Sequence, residues 1–318
     1  MTLDATANGS RIVVRHETGG VGPSGGPEMT DVVGHLRSVD ERTATIETRD
    51  GLLTVVDLAT IVTWKTVPAR PVRRTRALSV DAEDLTRITS RGWPATESVP
   101  LGDWELRAAG RFTGRANSVA VTGSPGLPLD EALRRVEAFY AARTMPALAQ
   151  VIVGSDHDRA FVEAGWEPMS GYHGGAVVQV ADLDPSYPAD PEARVSPTAD
   201  DDWLTNYGRV DDPAAARAVM EGPARVGFVA IGAPAVAIGR VVVTGQWAGL
   251  SAVEVRPEAR RRGLARRIVE TSLAWAVEHG ADKAYLQTMR SNTAALALYA
   301  PYGFTDHHDY LYRQPPTP

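Results

Sequence analysis

Residues 253–280 constrain this chain more than any other stretch. They run Val253-Glu254-Val255-Arg256-Pro257, then Arg260-Arg261-Arg262-Gly263-Leu264-Ala265, then an amphipathic segment that ends at Gly280. Val253 to Val255 reads as the end of a strand, stopped by Pro257 because proline has no N–H for the ladder. From Gly263 onward the apolar residues fall at helical spacing. Leu264, Ile268 and Trp275 lie on one line, and Ala265, Val269 and Ala276 on its neighbour. Gly280 suits a left-handed cap and ends the helix. The predicted unit is strand, arginine-rich turn, helix. Such a turn gathers unbonded backbone N–H groups and the positive end of a helix dipole at one point, which suits a pyrophosphate. Gly263 removes a side chain that would block close approach, and small Ala265 admits the next amide.

A second pattern follows at a fixed distance. After a strand predicted over 283–289 comes Asn292-x-x-Ala295-x-x-Leu298-Tyr299-x-x-x-Gly303-Phe304. The two patterns together, in this order, resemble the GNAT N-acetyltransferases, whose acetyl-CoA pyrophosphate loop Arg/Gln-x-x-Gly-x-Gly/Ala is matched by Arg260-x-x-Gly263-x-Ala265. The resemblance implies an α+β or α/β fold in which helices flank a mixed, twisted sheet. It also implies site roles. Main-chain groups of Val253 and Val255 are expected to contact the pantetheine arm and the thioester. Arg261, Arg262, Gly263, Leu264 and Ala265 are expected at the pyrophosphate, with Arg260 and Arg266 adding charge and Asn292 bonding the arm.

Tyr299 is the candidate general acid for the departing thiolate, with Tyr302 as its nearest rival. Glu254 sits in a strand covered on both faces, where an unpaired carboxylate is costly. Either it faces the cleft as a base or one of the arginines satisfies it.

Composition closes off other classes. The net charge of −6 argues against a general nucleic-acid binder. The chain has no cysteine, so an acetyl-cysteine intermediate and thiolate metal sites are excluded. No metal is expected, and the only small-molecule partners implied are acetyl-CoA and an amine acceptor. The first ten residues lack the pattern of a signal peptide and no apolar run reaches the length of a membrane span, so no membrane partner and a cytoplasmic location are expected. Oligomeric state is not legible.

Three domains are expected. Short β-branched runs within 11–68, with Asp50-Gly51 as a hairpin turn and a glycine-rich loop over 17–29, predict a small SH3-like β-barrel. Residues 68–76 carry two prolines and four arginines and read as a linker. Residues 77–185 form a second unit, with helices over 81–91 and 129–143 and strands over 104–109, 117–122 and 147–153. Its end, Phe161-x-x-x-Gly165-Trp166 with Tyr172 beyond, repeats the spacing of Tyr299-x-x-x-Gly303-Phe304 with Tyr310 beyond. This predicts an internal duplication in tandem with a degenerate first copy, whose loop over 123–128 has prolines where amides should donate. A proline-rich linker over 182–194 leads to the catalytic unit, 192–318.

The barrel ahead of such a tandem, together with the 110–118 stretch Gly-Arg-Phe-Thr-Gly-Arg-Ala-Asn-Ser, is similar to the actinobacterial N-acetylglutamate-synthase-like proteins. That resemblance implies L-glutamate as acceptor and a place in arginine biosynthesis. The alternatives are a protein-lysine or other small-amine acetyltransferase, and a non-catalytic acyl-CoA sensor. For the acceptor side the sequence offers Trp203, Tyr207, His307, His308, Tyr310 and Tyr312, with Arg240 and Arg290 as cations for carboxylates. Adjacent His307 and His308 should point to opposite faces of one strand, which argues against a joint metal site.

Overall fold

The computed structural model describes residues 3, 7–21, 25–48, 53–67, 76–110, 112–169 and 174–316. The expected Asp50-Gly51 turn, the linker over 68–75, Arg111 and Tyr172 lie outside the described residues. The chain forms two compact units, Met1–Arg74 and Thr75–Pro318.

The first unit is one antiparallel sheet of β1 (Arg11–Val21), β2 (Pro27–Val39), β3 (Thr43–Thr48), β4 (Leu53–Asp57) and β5 (Ile61–Thr66), in the order β4-β3-β2-β1-β5. Alternate residues face inward, as a period of two requires: Ile12 and Val14, then Ala44 and Ile46, are buried with Leu36 and Val56. The loop expected over 17–29 is instead the end of a long hairpin, with Glu17 opposite Met29 and Val21 opposite Pro27. A bulge absorbs the glycines, Gly19 taking φ +82°, and Thr18 Oγ1 donates to Glu28 Oε2 at 2.5 Å.

The second unit opens with α1 (Ala82–Gly92), β6 (Glu97–Leu101), β7 (Trp104–Ala108), β8 (Val119–Ala120), α2 (Leu129–Ala141), β9 (Ala149–Ile152), α3 (Asp156–Glu163), β10 (Glu167–Pro168) and β11 (Gly175–Asp182). It continues with β12 (Ala193–Ser196), α4 (Asp201–Tyr207), α5 (Pro213–Met220), β13 (Val226–Ile231), β14 (Ala237–Thr244), β15 (Trp247–Val255), α6 (Leu264–Glu278), β16 (Lys283–Thr288), α7 (Thr293–Tyr299) and β17 (Thr305–Gln314). All its strands join one sheet, β12-β13-β14-β15-β16-β11-β17-β9-β8-β7-β6, with β10 pairing to β17. The contacts β15–β16 and β8–β9 are parallel; the others are antiparallel.

The boundary expected between 77–185 and 192–318 does not divide this sheet. β11, from the first segment, is hydrogen-bonded between β16 and β17 of the second, and β17 lies between β11 and β9. Outward from the β11–β17 pair the order runs β16, β15, β14, β13 on one side and β9, β8, β7, β6 on the other. Gly165 and Gly303, with φ of +82° and +79°, stand just beyond α3 and beyond the single 3-10 turn Ala300–Tyr302 that follows α7. The linker expected over 182–194 is fastened to α6 instead: the Asp190 N–H donates to Thr271 Oγ1 at 3.0 Å, and its carboxylate pairs with Arg267.

Helix α6 forms where the apolar spacing places it. Leu264, Ile268, Val269, Leu273 and Ala276 are buried against the sheet, each large side chain stabilising the fold by about 1.5–3 kcal/mol. Gly239 on β14 lets the helix lie close, since a Cβ there would stand 2.4 Å from Ile268 Cγ2. Trp275 is only partly buried and stacks on His279. Among the described residues no helix is long and apolar enough to cross a membrane.

Candidate functional site

Strands β15 and β16 pair over four residues, from Trp247 opposite Lys283 to Leu250 opposite Leu286, and then part. The cause lies on β15. Arg240 faces Ser251 and Ile238 faces Glu254, so β15 spends one residue more than β14 between these pairs, a β-bulge. Within it Ala252 adopts φ +54°, a left-handed conformation that costs an alanine roughly 1–2 kcal/mol. Residues Ser251 to Val255 therefore keep β14 on one edge and, among the described residues, have no strand partner on the other.

This open edge runs into the arginine turn. Arg261 and Gly263 take φ of +63° and +76°, and α6 starts at Leu264 with no side-chain cap. Among the described residues the N–H groups of Arg261, Arg262 and Gly263 make no hydrogen bond. Alternating left-handed residues turn successive amides the same way and make an anion-binding concavity. Arg261, Arg262 and Arg266 are exposed beside it. Arg260 is tied back, its Nε donating to Val255 O at 3.1 Å. Leu264 is buried in the core and brings only its backbone. Asn292 caps α7, with Oδ1 accepting from the Ala295 N–H at 3.1 Å, so only its Nδ2 remains for a ligand.

The loop over 123–128, the counterpart expected if the halves are duplicates, has amides that are already occupied. There the Gly123 N–H donates to Glu83 Oε2 at 2.7 Å and the Ser124 N–H to Asp103 Oδ2 at 2.9 Å. Carboxylates stand where an anion would have to bind.

Tyr299 lies at the end of α7, buried, its ring edge-on to Phe304 at 5.5 Å. Among the described residues its hydroxyl has no hydrogen-bond partner. Burial, and then the nearby Glu254 carboxylate, hold the phenol above its ordinary range, so it stays protonated. Tyr302 is engaged elsewhere, donating to Glu270 Oε1 at 3.0 Å. Glu254 is 28% exposed and pairs with Arg209, which selects the arginine-satisfied alternative for its ground state.

The acceptor side differs most from expectation. Trp203 is a core residue whose Nε1 donates to Val229 O at 3.2 Å. Tyr310 and Tyr312 are buried as well. Arg290 is held by Asp306 and Asp309 on the surface. Arg240 is 1% exposed and donates to Met220 O at 2.9 Å and Gly92 O at 3.0 Å. The sequence also passed over Trp93, Arg115 and Gln287, which the fold brings to this side. The 110–118 stretch pointed to Arg115 only as part of a resemblance.

The two histidines do not face opposite ways. β17 carries a bulge here, with Val178 opposite His308 and Gln179 opposite Asp306. The extra residue, His307, turns to the same side, and the two Nδ1 atoms lie 2.7 Å apart. His307 Nε2 reaches Val80 O at 2.9 Å, which assigns its proton to Nε2 and makes His308 the Nδ1 donor. Among the described residues no group of three or more metal-ligating side chains forms.

Burial, and then His307, push His308 from 6.5 down to about 4. Its folded pKa is depressed, so the stability it contributes is present above pH 6.5 and is lost as pH falls toward 4. The urea midpoint should drop more from pH 7.5 to pH 5 in the wild type than in His308→Gln. Equal drops would count against this assignment.

The chain is similar to known proteins. Residues 81–313 match the family model described as "Probable histone acetyltransferase Rv0428c C-terminal". Residues 6–65 match the "Rv0428c N-terminal Sm-like domain", so the small barrel expected as SH3-like is Sm-like. "Uncharacterized N-acetyltransferase YobR" of Bacillus subtilis (strain 168) is 25% identical over 249 residues, covering 73% of this chain and 98% of that protein. Among solved structures, a GCN5-related N-acetyltransferase from Kribbella flavida aligns with a TM-score of 0.57 at 18% identity, over 74% of this chain and 96% of the other.

Proposed function

We propose, from the premise that this chain belongs to the GNAT N-acetyltransferases and within them to the family of the Rv0428c C-terminal domain, that residues 192–318 carry out acetyl transfer at the parting of β15 and β16. Acetyl-CoA is the donor and a primary amine the acceptor, in direct attack without a covalent enzyme intermediate. One observation carries the reading: the strand that loses its partner after Leu250 leads straight into a turn of unbonded amides ringed by arginines.

The residues divide the work. The 261–265 turn holds the pyrophosphate, with Arg261, Arg262 and Arg266 supplying charge. The open edge at Val253 and Val255 offers main-chain donors to the pantetheine arm and to the charge that develops on the thioester oxygen, a large catalytic term when donors are fixed in advance. Asn292 Nδ2 adds a contact to the arm. Glu254 receives the amine proton through solvent, with Arg209 keeping its carboxylate in place. Tyr299 meets the departing sulfur. A phenol held above its ordinary range is a weaker acid than a thiol, so its main contribution is a hydrogen bond to the thiolate as the C–S bond breaks.

The first half is proposed to be the degenerate copy of a duplication, with Phe161 in place of Tyr299 and a loop closed by its own carboxylates. One acetyl-CoA per chain is the corollary. L-Glutamate, in arginine biosynthesis, is the acceptor that the resemblance suggests. A protein lysine is the second reading, favoured by the description of the matching family. A cytoplasmic location belongs to the same proposal.

Charge reversal tests the turn. Arg261→Glu with Arg262→Glu should weaken acetyl-CoA binding, measured by calorimetry, by at least about tenfold, which corresponds to 1.4 kcal/mol. Unchanged affinity would remove the turn from the cofactor site.

A further inference from the structure

The loop between β7 and β8 is strained and heavily fastened. Gly110 and Thr113 both take φ +61°, and for a β-branched residue this is an outlier that surrounding structure must hold in place. Asn117 does most of the holding: its Oδ1 accepts from the Ala109 N–H at 2.7 Å, and its Nδ2 donates to Phe112 O at 3.0 Å and Thr113 O at 2.9 Å. Trp93 Nε1 donates to Thr113 Oγ1 at 2.9 Å. What this fixes is the turn Gly114–Ala116, and what the turn presents is Arg115.

Arg115 leaves the first half and reaches the second. Its Nη1 donates to Gln287 Oε1 at 2.9 Å, and its guanidinium stands 4.5 Å from the centroid of the Trp93 ring. Gln287 is the first residue of β16 beyond the last β15–β16 pair, so Arg115 stands at the throat of the parting strands. Among the described residues no carboxylate pairs with it, and one of its five donors is used.

The surrounding charge is unbalanced in the same sense. Arg240, also without a carboxylate, lies 4.8 Å from the Trp93 centroid. Arg209 lies over Tyr207 at 5.8 Å and pairs with Glu254. Among the described residues three guanidinium groups, of Arg115, Arg209 and Arg240, and one carboxylate, of Glu254, act together on the buried Tyr207 phenol. Such a site repels a cationic peptide, favours an amine in its neutral, nucleophilic form, and attracts an anion. A planar fork with free donors, stacked on an indole, is the group that best grips a carboxylate.

We propose that Arg115 binds a carboxylate of the acceptor, so that the second half's acceptor site is completed by the first half and selects amines that also carry an acid. The proposal rests on the acetyltransferase reading above and specifies its substrate class.

The test compares L-glutamate with its two side-chain and α-carboxamides, in the full chain with coenzyme A present, by calorimetry and by Trp fluorescence. Wild type should bind one acid form about 10- to 100-fold more tightly than the matching amide, the range expected for a hydrogen-bonded charge. Arg115→Gln should lose that preference while its acetyl-CoA affinity stays unchanged. Arg115→Lys should recover only part, because an ammonium lacks the bidentate fork. An undiminished preference in Arg115→Gln, or no preference for any acid in wild type, overturns the proposal. Failure of the acetyltransferase reading looks different: acids bind through Arg115, yet no thiol is released from acetyl-CoA.

Discussion

Replacing Tyr299 with phenylalanine is expected to lower kcat about 10²- to 10³-fold, the usual cost of removing one donor aimed at developing charge. Acetyl-CoA affinity should change less than about twofold, because the ring and its edge-on contact with Phe304 remain. The hydroxyl is buried at the end of α7 with no partner among the described residues, while Tyr302 is already committed to Glu270. Tyr302→Phe should therefore cost far less turnover than Tyr299→Phe. The pair of variants also separates an enzyme from an acyl-CoA sensor, since a sensor would bind acetyl-CoA alike in both and show no turnover to lose. Equal effects of the two substitutions would remove Tyr299 from the chemistry.

The second large effect concerns the fold. Expressed alone, residues 192–318 should fail to give a cooperatively folded protein, because β16 and β17 would each lose β11 from one edge. Residues 75–191 should fail likewise, with β17 absent from between β11 and β9. Each piece would expose three unpaired strand edges, and aggregation is the expected outcome. Co-expression of the two pieces should restore a soluble complex with the activity of the intact unit. A monomeric, cooperatively melting 192–318 fragment would show that the shared strands contribute little.

What the sequence made legible was local. Pro257, the left-handed Gly263 and the apolar line through Leu264 and Ile268 each act within a few residues, and the strand, turn and helix stand where they indicate. The same holds for Asn292 through Phe304, whose helix and glycine close follow from short-range chemistry. Other features depend on partners distant in sequence. The bulge that turns His307 and His308 to one side is set by register against β11. The contact of buried Arg240 with Gly92 and the arrival of Arg115 at Gln287 come from packing between halves, and the pairing of Glu254 with Arg209 joins residues 45 positions apart within the second. Asn292 caps α7 through its oxygen, a local role that its position before the helix already allows. The division at residue 192 followed the prolines, which bend a chain but do not govern which strands pair.

Acetyl transfer at this site is read from release of coenzyme A thiol from acetyl-CoA, measured with L-glutamate, other amino acids, polyamines and lysine peptides in turn. Saturable release is expected that requires an amine, is greatest with an acid-bearing one, and falls sharply in Tyr299→Phe. Acetyl-CoA binding with no amine-dependent release across that panel would contradict it.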